Sequence, residues 1–211
     1  MRQYLTEFIG TFFLVLTIGL VVADGTAMGP LAIGSALMIM VYMGGHVSGA
    51  HYNPAVTLAV FMRGGIESRW VAGYWAVQLL GALAAAAVVG AATGATFAPA
   101  PGPDASAGGA LALEALFTFA LALVVLNTAT ADETSGNSYF GLAIGFTVMV
   151  GAFAAGPISG GAFNPAVGIG PIVWHSVAGG GGYGDLWLYL VGPLAGGALA
   201  AVVFKAQHPG A

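Results

Sequence analysis

Two short polar clusters interrupt an otherwise apolar chain. Ser48-Gly49-Ala50-His51-Tyr52-Asn53-Pro54-Ala55-Val56 is echoed by Ser159-Gly160-Gly161-Ala162-Phe163-Asn164-Pro165-Ala166-Val167. Asn is a strong N-cap, and Pro at the first helical position loses nothing by lacking an N–H. Each cluster therefore predicts a helix that starts on Asn53-Pro54-Ala55 or on Asn164-Pro165-Ala166. The chemistry offered is not covalent. A carboxamide carries two N–H donors, and a helix N-terminus carries roughly half a positive charge. Two such ends aimed at one point sum to about one charge. That site orients a small neutral dipole through the two Asn NH2 groups, breaks a proton wire and repels cations. A lone Asn-Pro reads as a turn starter. Two copies, each after Ser-Gly and before a short apolar stretch, argue for more.

Glu7 and Glu114 lie inside apolar runs, where an ionisable residue is costly. One reading is a proton relay. The favoured reading is that each carboxylate holds a neighbouring polar cluster by accepting hydrogen bonds from its backbone. His46 and His51 flank the first cluster and read as further loop scaffold, with a pH sensor as the alternative. Two His without a third ligand do not make a metal site. There is no cysteine, so thiolate ligands and thiol nucleophiles are absent. No nucleophile–base pair at credible spacing is found, and the chain is read as a non-enzyme without cofactor.

The elements that position these residues follow from composition. Hydrophobic residues make up 58% of the 211, and charged residues only 6%. Soluble domains carry roughly 25% charge. Lipid must solvate this chain, and four Lys/Arg exclude a basic nucleic-acid face. Six runs are long enough to span a bilayer at about 20 residues each: 4–23, 30–45, 69–92, 110–131, 138–155 and 186–206. The stretches 56–62 and 167–173 are too short, and read as re-entrant half-helices. Arg2 before an apolar run resembles a leader peptide, but Glu7 and the recurrence of its pattern favour a retained span. Arg2, Arg63, Arg69 and Lys205 fall on one side of six spans, which makes that side, with both termini, cytoplasmic. Trp70, Tyr74, Trp174, Tyr183, Trp187 and Tyr189 fall near span ends, as interfacial anchors do.

The chain reads as one domain in two repeats, about 1–93 and 110–211, joined by a Pro-rich loop at about 94–109. Glu7-Phe8-Ile9-Gly10-Thr11-Phe12 parallels Glu114-Ala115-Leu116-Phe117-Thr118-Phe119, and Gln78-Leu79-Leu80-Gly81 parallels Pro193-Leu194-Ala195-Gly196. Each repeat holds three spans, an odd number, so the second lies inverted relative to the first. Inverted repeats with broken helices place a solute site near the midplane.

These motifs resemble the aquaporin, or major intrinsic protein, family over nearly the whole chain. The resemblance rests on Glu7 to Phe12, Gly45-His46-Val47-Ser48-Gly49, His51 to Thr57, and Gly156-Pro157-Ile158-Ser159-Gly160-Gly161 with Asn164-Pro165-Ala166. It implies an all-α membrane fold of six helices plus two half-helices, one pore per subunit and a homotetramer. It implies passive passage of water or small neutral solutes across a cell membrane. Most members place Arg after the second Asn-Pro-Ala; this chain has Val167. Glycerol facilitators usually continue Arg-Asp, where this chain has Val167-Gly168, and its short loops look like the water-channel branch. Some plant vacuolar-membrane members also have Val there, followed by a Phe-Gly-Pro similar to Ile169-Gly170-Pro171. Counting from the motifs, the family's selectivity filter maps to Ile33, Ala152, Gly161 and Val167, a wide and apolar set. The alternatives are a channel mainly for glycerol, urea, ammonia or hydrogen peroxide, and a coupled transporter, for which the chain offers no intramembrane ion site beyond the two Glu.

Overall fold

The computed structural model describes residues 1–209. All regular structure among them is helical. Six long helices match the six apolar runs: α1 (Arg2–Asp24), α2 (Gly29–Ser48), α4 (Ser68–Thr93), α5 (Ala107–Val125), α6 (Phe140–Ser159) and α8 (Leu186–Gln207). Two shorter ones, α3 (Pro54–Arg63) and α7 (Pro165–Val177), start on the Asn-Pro-Ala motifs. Helices α2 and α6 continue beyond the expected ends at 45 and 155, into Ser48 and Ser159. Gly49 and Gly160, at φ of 85° and 92°, then stop them in the left-handed conformation that glycine adopts without strain. Helix α7 runs past Pro171 to Val177, four residues beyond the expected end.

The fourth span departs from expectation at its far end. After Val125 the backbone widens into one π-turn, Leu126–Thr130. The hydroxyls of Thr128 and Thr130 donate to the Val124 and Leu126 carbonyls, both at 2.7 Å. Hydroxyls bonded back by four residues compete with the helical ladder. The opened Thr130 carbonyl accepts from Arg63 at the end of α3, and the guanidinium lies 5.4 Å from the Phe204 ring centroid. His208 stands between the Asn127 amide oxygen at 3.0 Å and the Glu133 carboxylate at 3.4 Å. The backbone N–H of Glu133, ahead of the facing His208, holds its carboxyl below the usual carboxylate range.

Packing is paired about a pseudo-two-fold. Helix α1 lies on α4 as α5 lies on α8, and α2 crosses α6. The half-helices cross over: α3 packs on α8 of the second repeat, and α7 on α4 of the first. Small residues permit these approaches. A Cβ at Gly34 would sit 2.6 Å from the Gly145 carbonyl oxygen, and one at Gly145 would strike the Gly34 carbonyl in return. The outward faces carry Leu5, Phe13, Ile39, Leu80, Leu116, Val150 and Leu199, all exposed, as lipid contact requires.

Two of the expected interfacial anchors are instead interior. Tyr74 and Tyr189 are 3% and 0% exposed. Their hydroxyls have partners there, the Ser48 carbonyl at 2.8 Å and the Ser159 carbonyl at 2.6 Å. A tyrosine is amphipathic, and the buried carbonyl decided where its polar tip went. Trp70 and Trp174 are partly buried, while Tyr183 and Trp187 are exposed.

Candidate functional site

Two extended loops connect α2 to α3 and α6 to α7. Their backbones turn through the left-handed region at Tyr52 and Phe163, both at φ 49°, and at Ala50 and Gly161, at 52° and 64°. Non-glycine residues there cost of order 1–3 kcal/mol each. The surroundings hold them. The Glu7 carboxylate accepts from the Ser48 hydroxyl (2.7 Å), the His51 N–H (2.9 Å) and the Tyr52 N–H (2.7 Å). Glu114 accepts from the Ser159 hydroxyl (2.8 Å), the Ala162 N–H (3.1 Å) and the Phe163 N–H (2.7 Å). Both carboxylates are fully buried, and charge-assisted bonds of this kind are about twice as strong as neutral ones. Every oxygen of the two groups is engaged.

The Asn side chains do two things at once. Asn53 accepts from the Ala55 N–H at 2.8 Å and Asn164 from the Ala166 N–H at 2.9 Å, which caps α3 and α7. Each NH2 group then reaches across the two-fold. Asn53 donates to the Phe163 carbonyl and Asn164 to the Tyr52 carbonyl, both at 2.9 Å. The sequence predicts that a passing solute accepts from both NH2 groups, and the geometry leaves each of them one N–H for it. One N–H of each is committed to the opposite loop, because the left-handed turns at Tyr52 and Phe163 present carbonyls there. One N–H per Asn remains.

The two anchors are not equally furnished. Gln78 on α4 donates to Glu7 at 2.8 Å and to the Thr57 hydroxyl at 3.0 Å, and His51 Nδ1 lies 3.1 Å from that hydroxyl. Thr57 also donates to the Asn53 carbonyl at 3.0 Å. With its one hydrogen spent there, the hydroxyl accepts from Gln78 and from His51 Nδ1–H. The corresponding positions of the second repeat are Pro193, Gly168 and Ala162. His46 is exposed on the last turn of α2, with no side-chain hydrogen bond among the described residues, so it is not brought into this set. His46 sits on the outer side of the last turn of α2, whereas His51 lies past Gly49 in the loop that Glu7 anchors, a difference that the spacing of the two residues did not reveal.

A cavity of about 440 Å³ opens beside the caps. Asn53, Asn164, His51 and Val56 line it, and so do Ile33, Ala152, Gly161 and Val167. Its other walls are apolar side chains of α1, α2, α5 and α6, including Leu37, Leu121, Ile144 and Val148. The carbonyls of the cavity-lining residues Ala50 and His51, and of Gly160, Gly161 and Ala162, accept from no protein donor among the described residues. Backbone carbonyls at membrane depth need a partner, and here only the cavity can supply one. Phe97, Ala98, Pro99 and Ala100 also line the cavity, which residue types in a Pro-rich loop had not signalled. The Gly102 N–H pins this segment to the Ile158 carbonyl at 2.9 Å. No cluster of three metal-ligating side chains occurs among the described residues.

Comparison with known proteins agrees with this geometry. The family described as Major intrinsic protein matches residues 1–204. The chain is 38% identical to rice Aquaporin NIP1-4, over 97% of this chain and 76% of that protein. It is also 38% identical to Glycerol uptake facilitator protein-like 6 of Lactiplantibacillus plantarum, over 95% of both. The X-ray structure of the aquaglyceroporin from Plasmodium falciparum superposes with a TM-score of 0.87, at 22% identity, covering 99% of this chain and 97% of that one. That likeness establishes the fold. Identities of 38% along nearly the full length, together with the family match through residue 204, establish descent as well: this chain belongs to the major intrinsic protein family.

Proposed function

We propose that the chain is a passive membrane channel for water and small neutral solutes, entered past Ile33, Ala152, Gly161 and Val167 and crossed at Asn53 and Asn164. The observation that carries this reading is the pair of inverted helix N-termini, each capped by an Asn whose second N–H is left for a solute, beside a cavity lined by five residues whose carbonyls have no protein donor, Ala50, His51, Gly160, Gly161 and Ala162. The names of the relatives support it, one an aquaporin and another a glycerol uptake facilitator. Glu7 and Glu114 are consumed as loop anchors, which leaves no free intramembrane carboxylate to couple transport to an ion gradient. The protein catalyses no reaction. It assembles as a homotetramer in the cell membrane with both termini in the cytoplasm, where its four Lys/Arg lie.

The test is osmotic flux in proteoliposomes by stopped-flow light scattering. Water flux should exceed that of protein-free vesicles, with low temperature dependence and no saturation, and should ignore proton and sodium gradients. Flux that requires either gradient would refute the passive reading.

A further inference from the structure

The four filter positions carry no hydrogen-bonding side chain. Ile33, Ala152 and Val167 are apolar and Gly161 has none. Polarity at this level comes from main chain, and its sense is one-sided. The N–H of Gly160 is bonded to the Gly156 carbonyl at 3.0 Å, and that of Gly161 to the Ser159 hydroxyl at 3.2 Å. Those of Ala162 and Phe163 are held by Glu114. The carbonyls of Gly160, Gly161 and Ala162 remain without a protein donor. The segment therefore offers acceptors with its donors turned away. No cation compensates, because the four Lys/Arg are Arg2, Arg63, Arg69 and Lys205, all at the ends of helices on the side of the termini.

We infer that this filter selects solutes by where they carry their donors, and that its preferred class, water aside, is the short primary amide with an alkyl group. Such a solute sets its NH2 against the carbonyls of residues 160–162 and its alkyl group against Ile33, Ala152 and Val167. The inference rests on the cavity being the permeation path. Acetamide and urea make the comparison sharp, since they are nearly equal in size and differ by CH3 for NH2. Urea brings a second NH2 that must face the apolar wall, where leaving water strands its donors. Both solutes share a carbonyl oxygen, for which the free N–H of Asn53 or Asn164 serves equally, so that group does not discriminate.

The experiment measures acetamide, urea and water permeability in the same proteoliposomes, with the protein-free values subtracted to remove passage through lipid. The channel-mediated acetamide flux should exceed urea flux by about tenfold, the effect of roughly one unmet hydrogen bond. Ile33→Thr and Ala152→Ser each put a hydroxyl acceptor on the apolar wall. Either should restore a partner to urea and lower the ratio by about threefold or more. A native ratio of one or less overturns the inference, as does a native ratio that both variants keep while still conducting water. Failure of the channel reading is a separate result: water flux through the native protein no greater than that of protein-free vesicles.

Discussion

Replacing Asn164 by Asp tests the electrostatics of the crossing point most directly. The side chain keeps its size, and its remaining oxygen can still cap the Ala166 N–H, now at 2.9 Å. The NH2 that donates to the Tyr52 carbonyl becomes a carboxylate oxygen facing it. Loss of that buried bond should cost about 1–3 kcal/mol of stability. The larger consequence is for ions. The N-termini of α3 and α7 contribute about half a positive charge each, and one carboxylate cancels their sum. A monovalent cation about 4 Å away gains about 4 kcal/mol at an effective dielectric of ~20. At 1.4 kcal/mol per decade, cation occupancy there rises by about a thousandfold. The assay pairs water flux by light scattering with proton and sodium flux by entrapped dyes, in the same vesicles. The cation-to-water ratio should rise by orders of magnitude, and Asn53→Asp should do the same, since Asn53 occupies the equivalent place. A folded, water-conducting Asn164→Asp protein with the native ratio would show that the helix ends are not the cation barrier, and that Asn164 serves only as a cap and cross-link.

Val167→Arg should lower the ratio of glycerol or urea flux to water flux, because the added bulk and charge enter the cavity that Val167 lines; an unchanged ratio places the constriction elsewhere. Mercurials should leave the native channel unblocked for want of a thiol, whereas Val167→Cys should become blockable; labelled but conducting protein would remove Val167 from the path. Gly161 is the poorer site for that cysteine, since its φ is 64° and an added Cβ would sit 3.0 Å from the Gly156 Cα. Glu7→Gln and Glu114→Gln should each strand one buried backbone N–H and cost about 1–3 kcal/mol, read as a lower melting temperature in detergent; wild-type melting of both would refute the anchoring role.

How much of this was legible beforehand differs from element to element. The spans were legible because lipid demands length and apolarity and little else. The half-helix starts at Asn53 and Asn164 were legible because a cap followed by Pro is a local signal with a local cause. The anchoring of the loops by Glu7 and Glu114 was readable from their symmetric, costly placement. The cross-links between Asn53 and Phe163 and between Asn164 and Tyr52 were not, because the acceptors are backbone carbonyls and any residue type carries one. The same holds for the cavity wall at 97–100, placed by a backbone bond from Gly102. Tyr74 and Tyr189 were misplaced at the interface because amphipathic tips suit either a headgroup or a buried carbonyl. Span ends at 45 and 155 fell short because Ser48 and Ser159 look like loop residues until their carboxylate partners are known.

The exchange of half-helices between repeats has a bearing on biogenesis. Helix α3 rests chiefly on α8, which is synthesised well after it, and the Tyr52 carbonyl waits for Asn164, 112 residues later. Until then a nascent first half can insert its three long helices and seat its loop on Glu7, but α3 has only α4 of its own repeat to rest on, through Gln78 on Thr57 and the Trp75 indole on the Pro54 carbonyl. The non-helical backbone ahead of α3, with its Tyr52 carbonyl still unpaired, is costly against bare lipid. The first re-entrant segment therefore lacks its main packing partner until the second half is made. Its packing is complete only when α8 and Asn164 are in place. The arrangement around the two Asn caps thus exists only in the whole chain, since each half supplies the carbonyl that the other half's Asn holds.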